Sequence, residues 1–164
     1  MPIEAIEQPE FIEISPTLRL KRYDGVFDFA LPWYQDLVVL RMSEGEGTKP
    51  YTLENLKVMY AYLDAHGELY WIEEDQGTGF VPIGDVTIWQ EDLPIALGSS
   101  AVRGRGIGKS VLQALIARAR SLHWDHLSVQ NIYSYNTASQ RLFLSCGFRE
   151  TKKTETGASY RLEL

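Results

Sequence analysis

Between Val102 and Ser110 the chain reads Val-Arg-Gly-Arg-Gly-Ile-Gly-Lys-Ser, three alternate glycines among three cations, and runs without a break into the amphipathic stretch Val111 to Leu122. Glycine lets the backbone approach a ligand with no Cβ in the way. The first turn of a helix carries N–H groups with no partner, and the helix dipole favours an anion there. The dipole contributes roughly 0.3 to 2 kcal/mol and each charge-assisted hydrogen bond roughly 1.5 to 3 kcal/mol, so amides and cations dominate such a seat. Arg103, Gly104, Arg105, Gly106, Ile107, Gly108, Lys109 and Ser110 are therefore expected to cradle a pyrophosphate at the start of a helix.

Spacing narrows the ligand. A dinucleotide fingerprint needs a glycine six positions on, counting Gly104 as the first, and that position is Lys109. The Walker pattern ends well in Gly108-Lys109-Ser110, but its first glycine falls on Arg103, and little chain follows Ser110 to build a further Mg²⁺-binding strand. What fits is Arg-x-x-Gly-x-Gly, Arg103 to Gly108, followed by Asn136-Thr137-Ala138-Ser139 and then Gly147-Phe148. These two blocks, in this order and at this separation, resemble the acetyl-CoA loop and the segment after it in the Gcn5-related N-acetyltransferases (GNAT family). The likeness covers residues 17 to 164. Trp33-Tyr34-Gln35-Asp36, Ile83-Gly84-Asp85-Val86-Thr87 and Ser139 are similar to the branch with ribosomal-protein N-terminal acetyltransferases and aminoglycoside 6′-N-acetyltransferases. The resemblance implies an acetyl-CoA-dependent transfer of an acetyl group from the thioester directly to a primary amine of a small molecule or a protein N-terminus, with no metal. It also implies that Leu97-Gly98-Ser99 follows the pantetheine arm, with Asn136 and Ser139 beside it. A CoA-binding regulatory domain without turnover and a P-loop-like nucleotide-binding protein are the alternatives.

The 164 residues, 45% of them hydrophobic, suit one domain, here taken as a single N-acetyltransferase domain over 1–164. The acidic start Met1 to Glu7 does not read as a secretory signal, and no segment approaches membrane-spanning length. The lone Cys146 suits a reducing cytoplasm. The net charge of −6 disfavours nucleic acid, and it conceals an asymmetry. Residues 1–100 hold 18 acids and 6 bases, residues 101–164 hold 4 and 10. If these halves wall one cleft, phosphates belong to the later wall and a cationic amine acceptor to the earlier one. A homodimer is left open.

Alternation predicts a strand over Thr17 to Tyr23, with Asp24 placed to cap the next helix. Helices follow over Phe27 to about Met42, kinked or broken at Pro32, and from a Thr52 cap onward. Strands are expected at Glu68 to Glu74, Phe80 to Trp89 and Leu93 to Gly98, then the loop and its helix. A strand at His126 to Ser134, a helix from Asn136 to Cys146 and two closing strands complete the chain. This order, with the resemblance, implies an α/β (α+β) fold: a mixed, mostly antiparallel twisted sheet with helices on both faces.

The chemistry requires a neutral amine, a polarised carbonyl and a departing thiolate. An alkylamine of pKa ~10.4 is neutral at pH 7 about once in ~2,500 molecules, a cost of roughly 4.6 kcal/mol, so some group must take a proton. If the turn through Gln90 to Asp92 is centred at its midpoint, Asp85 faces Gly98, level with the thioester. That makes Asp85 the candidate base, directly or through water, against the readings that it caps a loop or binds an ammonium. Gly98 in an apolar strand suggests a bulge or close approach to a ligand. Where many family members carry a thiolate-protonating tyrosine, seven residues after the Asn136 position, this chain has Phe143; Tyr133, Tyr135 and Ser139 are the nearest hydroxyls in sequence. Asn136 also suits a helix N-cap, His123 and His126 a polar helix end, and Cys146 the core. Trp33, Tyr34, Tyr60, Tyr62 and Trp71 are either core or the lining of an acceptor pocket.

Overall fold

A computed structural model describes residues 6–164, so most of the Met1 to Glu7 segment lies outside the described residues. Strands β1 (Phe11–Ser15), β2 (Leu18–Arg22), β3 (Glu68–Asp75), β4 (Phe80–Ile88) and β5 (Ile95–Leu97) form one antiparallel sheet in that order. Strands β6 (His126–Tyr133), β7 (Arg149–Lys153) and β8 (Gly157–Glu163) form a second, in the order β6-β8-β7. The helices are α1 (Leu37–Ser43), α2 (Leu53–His66), α3 (Ile107–Ser121) and α4 (Thr137–Ser145). Among the described residues no helix is long and apolar enough to cross a membrane.

Along β3, Leu69 and Trp71 point to one face and Tyr70 and Ile72 to the other, and all four are buried. On the first face they meet Tyr34, Leu40, Leu56, Tyr60 and Leu63, from α1, α2 and the segment before them. On the second they meet Val111, Leu112, Leu115 and Ile116, the apolar stripe that makes α3 a packed helix. Full burial of each such side chain stabilises by roughly 1.5 to 3 kcal/mol. Helices thus cover both faces of the five-stranded sheet.

Four expectations change. Strand β1 is additional to the expected elements: a five-residue edge strand in which Ile12 and Ile14 pack against the core while Glu13 and Ser15 are exposed. Asp24 does not cap a helix: its Oδ1 accepts from Val26 N at 3.0 Å, and the next helical turn begins later, at Asp28, without a side-chain cap. The helix expected over Phe27 to Met42 divides into a 3₁₀ segment, Asp28–Gln35, which contains Pro32, and α1. Asp36 breaks it, leaving helical geometry at ψ 119° while its carboxylate caps Val38 N (2.8 Å) and Val39 N (3.4 Å). The strand expected over Leu93 to Gly98 is only the three-residue β5.

The two sheets abut where the turn between β4 and β5 meets β6. Ser128 N donates to Gln90 O (3.0 Å) and Gln130 N to Asp92 Oδ1 (3.1 Å), equal steps in the same direction along both chains. Past these contacts no ladder joins β5 to β6 among the described residues, so the strands part in a wedge. Asp92→Ala removes the acceptor for Gln130 N and Leu93 N at its closed end. Urea denaturation is expected to show a loss of about 1 to 2 kcal/mol, mostly recovered in Asp92→Asn, which keeps an oxygen there.

Candidate active site

Gly104 (φ +73°) and Gly106 (φ +77°) hold left-handed backbone that L side chains rarely adopt, and a Cβ at either would meet nothing within 4 Å. Conformation rather than crowding selects glycine here. Gly106 is the N-cap of α3 and offers no side chain, and Ser110 N, bonded to Gly106 O at 3.1 Å, is the first amide taken into the helix. Gly106, Ile107, Gly108 and Lys109 therefore present four N–H groups without helical acceptors. No acidic residue compensates this first turn, and Lys109 adds a cation to it. Both features fit an anionic ligand.

A groove of about 340 Å³ runs from this turn along β5 to α4. Eight of the thirteen residues expected to bind the cofactor line it: Leu97, Arg103, Gly104, Gly106, Gly108, Lys109, Asn136 and Ser139. The other five do not. Arg105 pairs with Glu74 (2.5 and 3.2 Å), Ile107 is buried in the core, and Ser99 and Ser110 are half-buried outside the groove. Gly98 is tightly approached, but by protein, since a Cβ there would lie 2.5 Å from Trp33 Nε1. Asn136 Oδ1 caps α4 at Ser139 N (3.1 Å) while its Nδ2 reaches Met42 O at 3.4 Å.

A second cavity, of about 350 Å³, opens on the other side of the wedge. Met42, Ile95, Ala96, Asn136 and Ser139 line both spaces and form a waist between them. Glu44, Asp85 and Asp92 line this second cavity, and among the described residues no Lys or Arg does so.

The expected pairing of Asp85 with Gly98 is incorrect: Asp85 faces Ala96. The turn is tighter and earlier than its assumed midpoint, with Trp89 and Asp92 exchanging two 3.2 Å bonds around Gln90 and Glu91. A two-residue displacement keeps the same face, so Asp85 still stands level with the waist. Bonds Thr87 N to Pro94 O (2.9 Å) and Gly98 N to Ile83 O (2.8 Å) fix which β5 residues bond to β4. By alternation, Ile95 and Leu97 turn their N–H and C=O groups into the wedge. The guanidinium of Arg103 takes Leu97 O at 3.4 Å.

Asp85 is 2% exposed, and its Oδ2 accepts from both Tyr34 Oη (2.7 Å) and Tyr60 Oη (2.8 Å). Burial raises its pKa to about 6, against the lowering effect of the two phenols. Burial likewise raises Tyr34 and Tyr60, reinforced by the Asp85 charge. Glu44 is raised by burial, opposed by the Tyr51 hydroxyl and assisted by Asp85, and Asp92 by burial against the N–H groups of Gln130 and Leu93. Neither tyrosine partner of Asp85 was legible as such, because both sit at helical spacings that equally describe core. Tyr34, Tyr60 and Trp71 are core, whereas Tyr62 is exposed at the cavity mouth.

Phe143 is buried edge-on against Phe148 (5.1 Å), so no hydroxyl stands at that position. Tyr133 lines the second cavity, and Tyr135 stacks on it while donating to Arg41 O. Among the described residues no three His, Cys, Asp or Glu side chains are placed to hold a metal ion. His126 is held by Asp125 (2.7 Å) and Glu91 (3.1 Å), and His123 closes α3 at φ 60°. Cys146 is the half-buried C-cap of α4.

Residues 17–149 match the family model described as the acetyltransferase (GNAT) domain. The chain is 25% identical over 138 residues to N-acetyltransferase 8B of Mus musculus, across 77% of its own length and 59% of that relative's. Its fold is similar to that of RimL, the ribosomal L7/L12 alpha-N-protein acetyltransferase solved with coenzyme A (TM-score 0.73, 17% identity, 94% and 98% of the two chains). It is also similar to AAC(6′)-Ib solved with ribostamycin and coenzyme A (TM-score 0.74, 14% identity, 90% and 93%).

A carboxyl whose pKa is raised in the fold binds more protons there than in the unfolded chain. Asp85 therefore lowers stability as pH rises from its ordinary 3.8 through about 6. The unfolding free energy of Asp85→Asn minus that of the native chain is expected to grow by up to roughly 3 kcal/mol between pH 4 and pH 7 in urea denaturation. A difference that does not change with pH would show that Asp85 is not the titrating group.

Proposed function

This chain belongs to the GNAT acetyltransferase family, and on that premise we propose that it transfers an acetyl group from acetyl-CoA to a primary amine, with the groove for the coenzyme and the acidic cavity for the acceptor. The observation that carries this reading is the waist: two spaces of different character meet at Ala96, beside the unpaired edge of β5 and level with Asp85.

Acetyl-CoA supplies the acyl group as a thioester. The four N–H groups at the start of α3, with Arg103 and Lys109, suit its diphosphate, and the N–H and C=O of Ile95 with the N–H of Leu97 suit the amide-bearing arm. Leu97 N–H is the donor aimed into the wedge where an acyl oxygen needs polarising. The acceptor nitrogen bonds to the acyl carbon as the carbon–sulfur bond breaks and its surplus proton passes to solvent, after the arriving ammonium has given one proton to Asp85, directly or through water. Oδ2 is occupied by two phenols, so Oδ1 receives it. The sulfur leaves as thiolate, tolerable for a thiol of pKa near ~8.5. Glu44 and Asp85, in a cavity lined by no Lys or Arg among the described residues, favour an acceptor that arrives as a cation. The half-buried single cysteine, Cys146, is compatible with a cytoplasmic setting.

Acetyl-CoA at a hundredfold excess over its Kd is expected to stabilise the protein by about 2.7 kcal/mol, seen as a thermal shift, with ATP and Mg²⁺ giving none. The reverse ranking would favour a nucleotide site. Gly106→Val, which cannot rest at φ +77°, is expected to weaken acetyl-CoA binding at least about tenfold, and unchanged affinity would reject the loop assignment. Asp85→Asn is expected to lower turnover about 10²-fold or more with acetyl-CoA affinity kept. Turnover is followed as free thiol release over polyamines, aminoglycosides, amino acids and peptide N-termini. No release with any of them would mark a coenzyme-binding domain instead.

A further inference from the structure

Asp85 is a buried carboxylate, and among the described residues no Lys or Arg lines the cavity it faces. What meets it is a pair of phenols from two separate elements, Tyr34 on the 3₁₀ segment and Tyr60 on α2, and both hydroxyls converge on the same oxygen. Packing alone does not require that convergence, since a phenylalanine fills the same volume. Two donors on Oδ2 fix the carboxylate about its last torsion, satisfy one oxygen fully and leave the other to the cavity. They also stabilise the charged form where water is excluded.

We propose that Tyr34 and Tyr60 are positioning residues of the reaction, which together turn Oδ1 of Asp85 toward the acceptor and hold the carboxylate ionised. The inference rests on Asp85 being the base. The other titratable groups around it act against ionisation or not at all. Glu44, beyond the end of α1, adds a like charge, Tyr51 between α1 and α2 is engaged by Glu44, and Asp92 and Tyr133 stand across the cavity. From the sheet, β3 presents Trp71 and β5 presents Ala96, neither of which titrates. The two phenols are thus the stabilising partners of this charge among the described residues.

The test is carboxyl ¹³C NMR of the protein labelled in aspartate, with the Asp85 signal assigned by its loss in Asp85→Asn. No acceptor is needed. In Tyr34→Phe and in Tyr60→Phe, each keeping the ring, the Asp85 midpoint is expected to move up by about one pH unit, and further in the double variant. A midpoint unmoved in both single variants overturns the proposal. Turnover relative to the native protein is expected to fall at pH 6.5 and to recover toward pH 8.5 with KM for acetyl-CoA unchanged. A loss equal at all pH values would reveal a merely structural role. Full turnover in Asp85→Asn would instead overturn the base assignment, a result distinct from an unmoved midpoint.

Discussion

The separation of β5 from β6 is the constraint on which the rest of the molecule depends. A strand edge inside a domain ordinarily finds a partner, because buried N–H and C=O groups without one are costly. Here β5 pairs with β4 along one edge and faces an opening along the other. The opening is pinned at its narrow end by Gln90 and Asp92 and bridged farther along by contacts from Met42 and Arg41 to Asn136 and Tyr135. Every space in the proposed site follows from that geometry. The groove, the waist and the acidic cavity are parts of one passage between two sheets that cannot close on each other.

The passage also gives the uneven charge of the chain a physical form. The carboxylates of the acidic cavity, Glu44, Asp85 and Asp92, come from the first hundred residues, and the groove cations Arg103 and Lys109 from the remainder. Burial raises the pKa of all three carboxyls, so each is less stable ionised than it would be in water. Asp92 offsets this with backbone N–H groups and Glu44 with Tyr51. Asp85 is the extreme case, 2% exposed at the cavity wall with two phenols as the hydrogen-bond donors to its carboxylate. Such a group is retained against stability, and an arriving ammonium would supply the counter-charge the fold withholds.

Much of this was legible in the chain, and the failures have specific causes. The loop and α3 could be read because left-handed backbone, unpaired amides and an apolar stripe each leave a residue-level mark, at Gly104, Gly106 and Val111 to Ile116. Thr52 marks the start of its helix as a cap, and its hydroxyl does accept from Asn55 N, in a capping box that the Asn55 side chain completes. Register was harder. The face of Asp85 followed from alternation, but its partner depended on whether the turn closed over two residues, which Gln90 and Glu91 do not announce. Gly98 in its apolar strand suggests a bulge or a close approach to a ligand, whereas it makes room for Trp33, because a missing Cβ marks a close approach without naming who approaches. Tyr34 and Tyr60 fit a buried stripe so well that their polar ends went unread; a core tyrosine differs from a core phenylalanine only in where its hydroxyl goes.

The same distinction bears on the leaving group. Helix α4 sets the ring at position 143 edge-on against Phe148, buried yet lining the acidic cavity beside Asn136 and Ser139. A phenyl ring there is consistent with the packing, and it withholds a proton donor from the sulfur at that point. With a thiol of pKa near ~8.5, loss as the anion remains feasible, but protonation no longer assists the bond that breaks. More of the barrier must then fall to the bond that forms. In the proposed reaction that means the neutral amine and the base that frees it, which is why a carboxylate held ionised by two phenols and a helix that offers no acid belong to one arrangement.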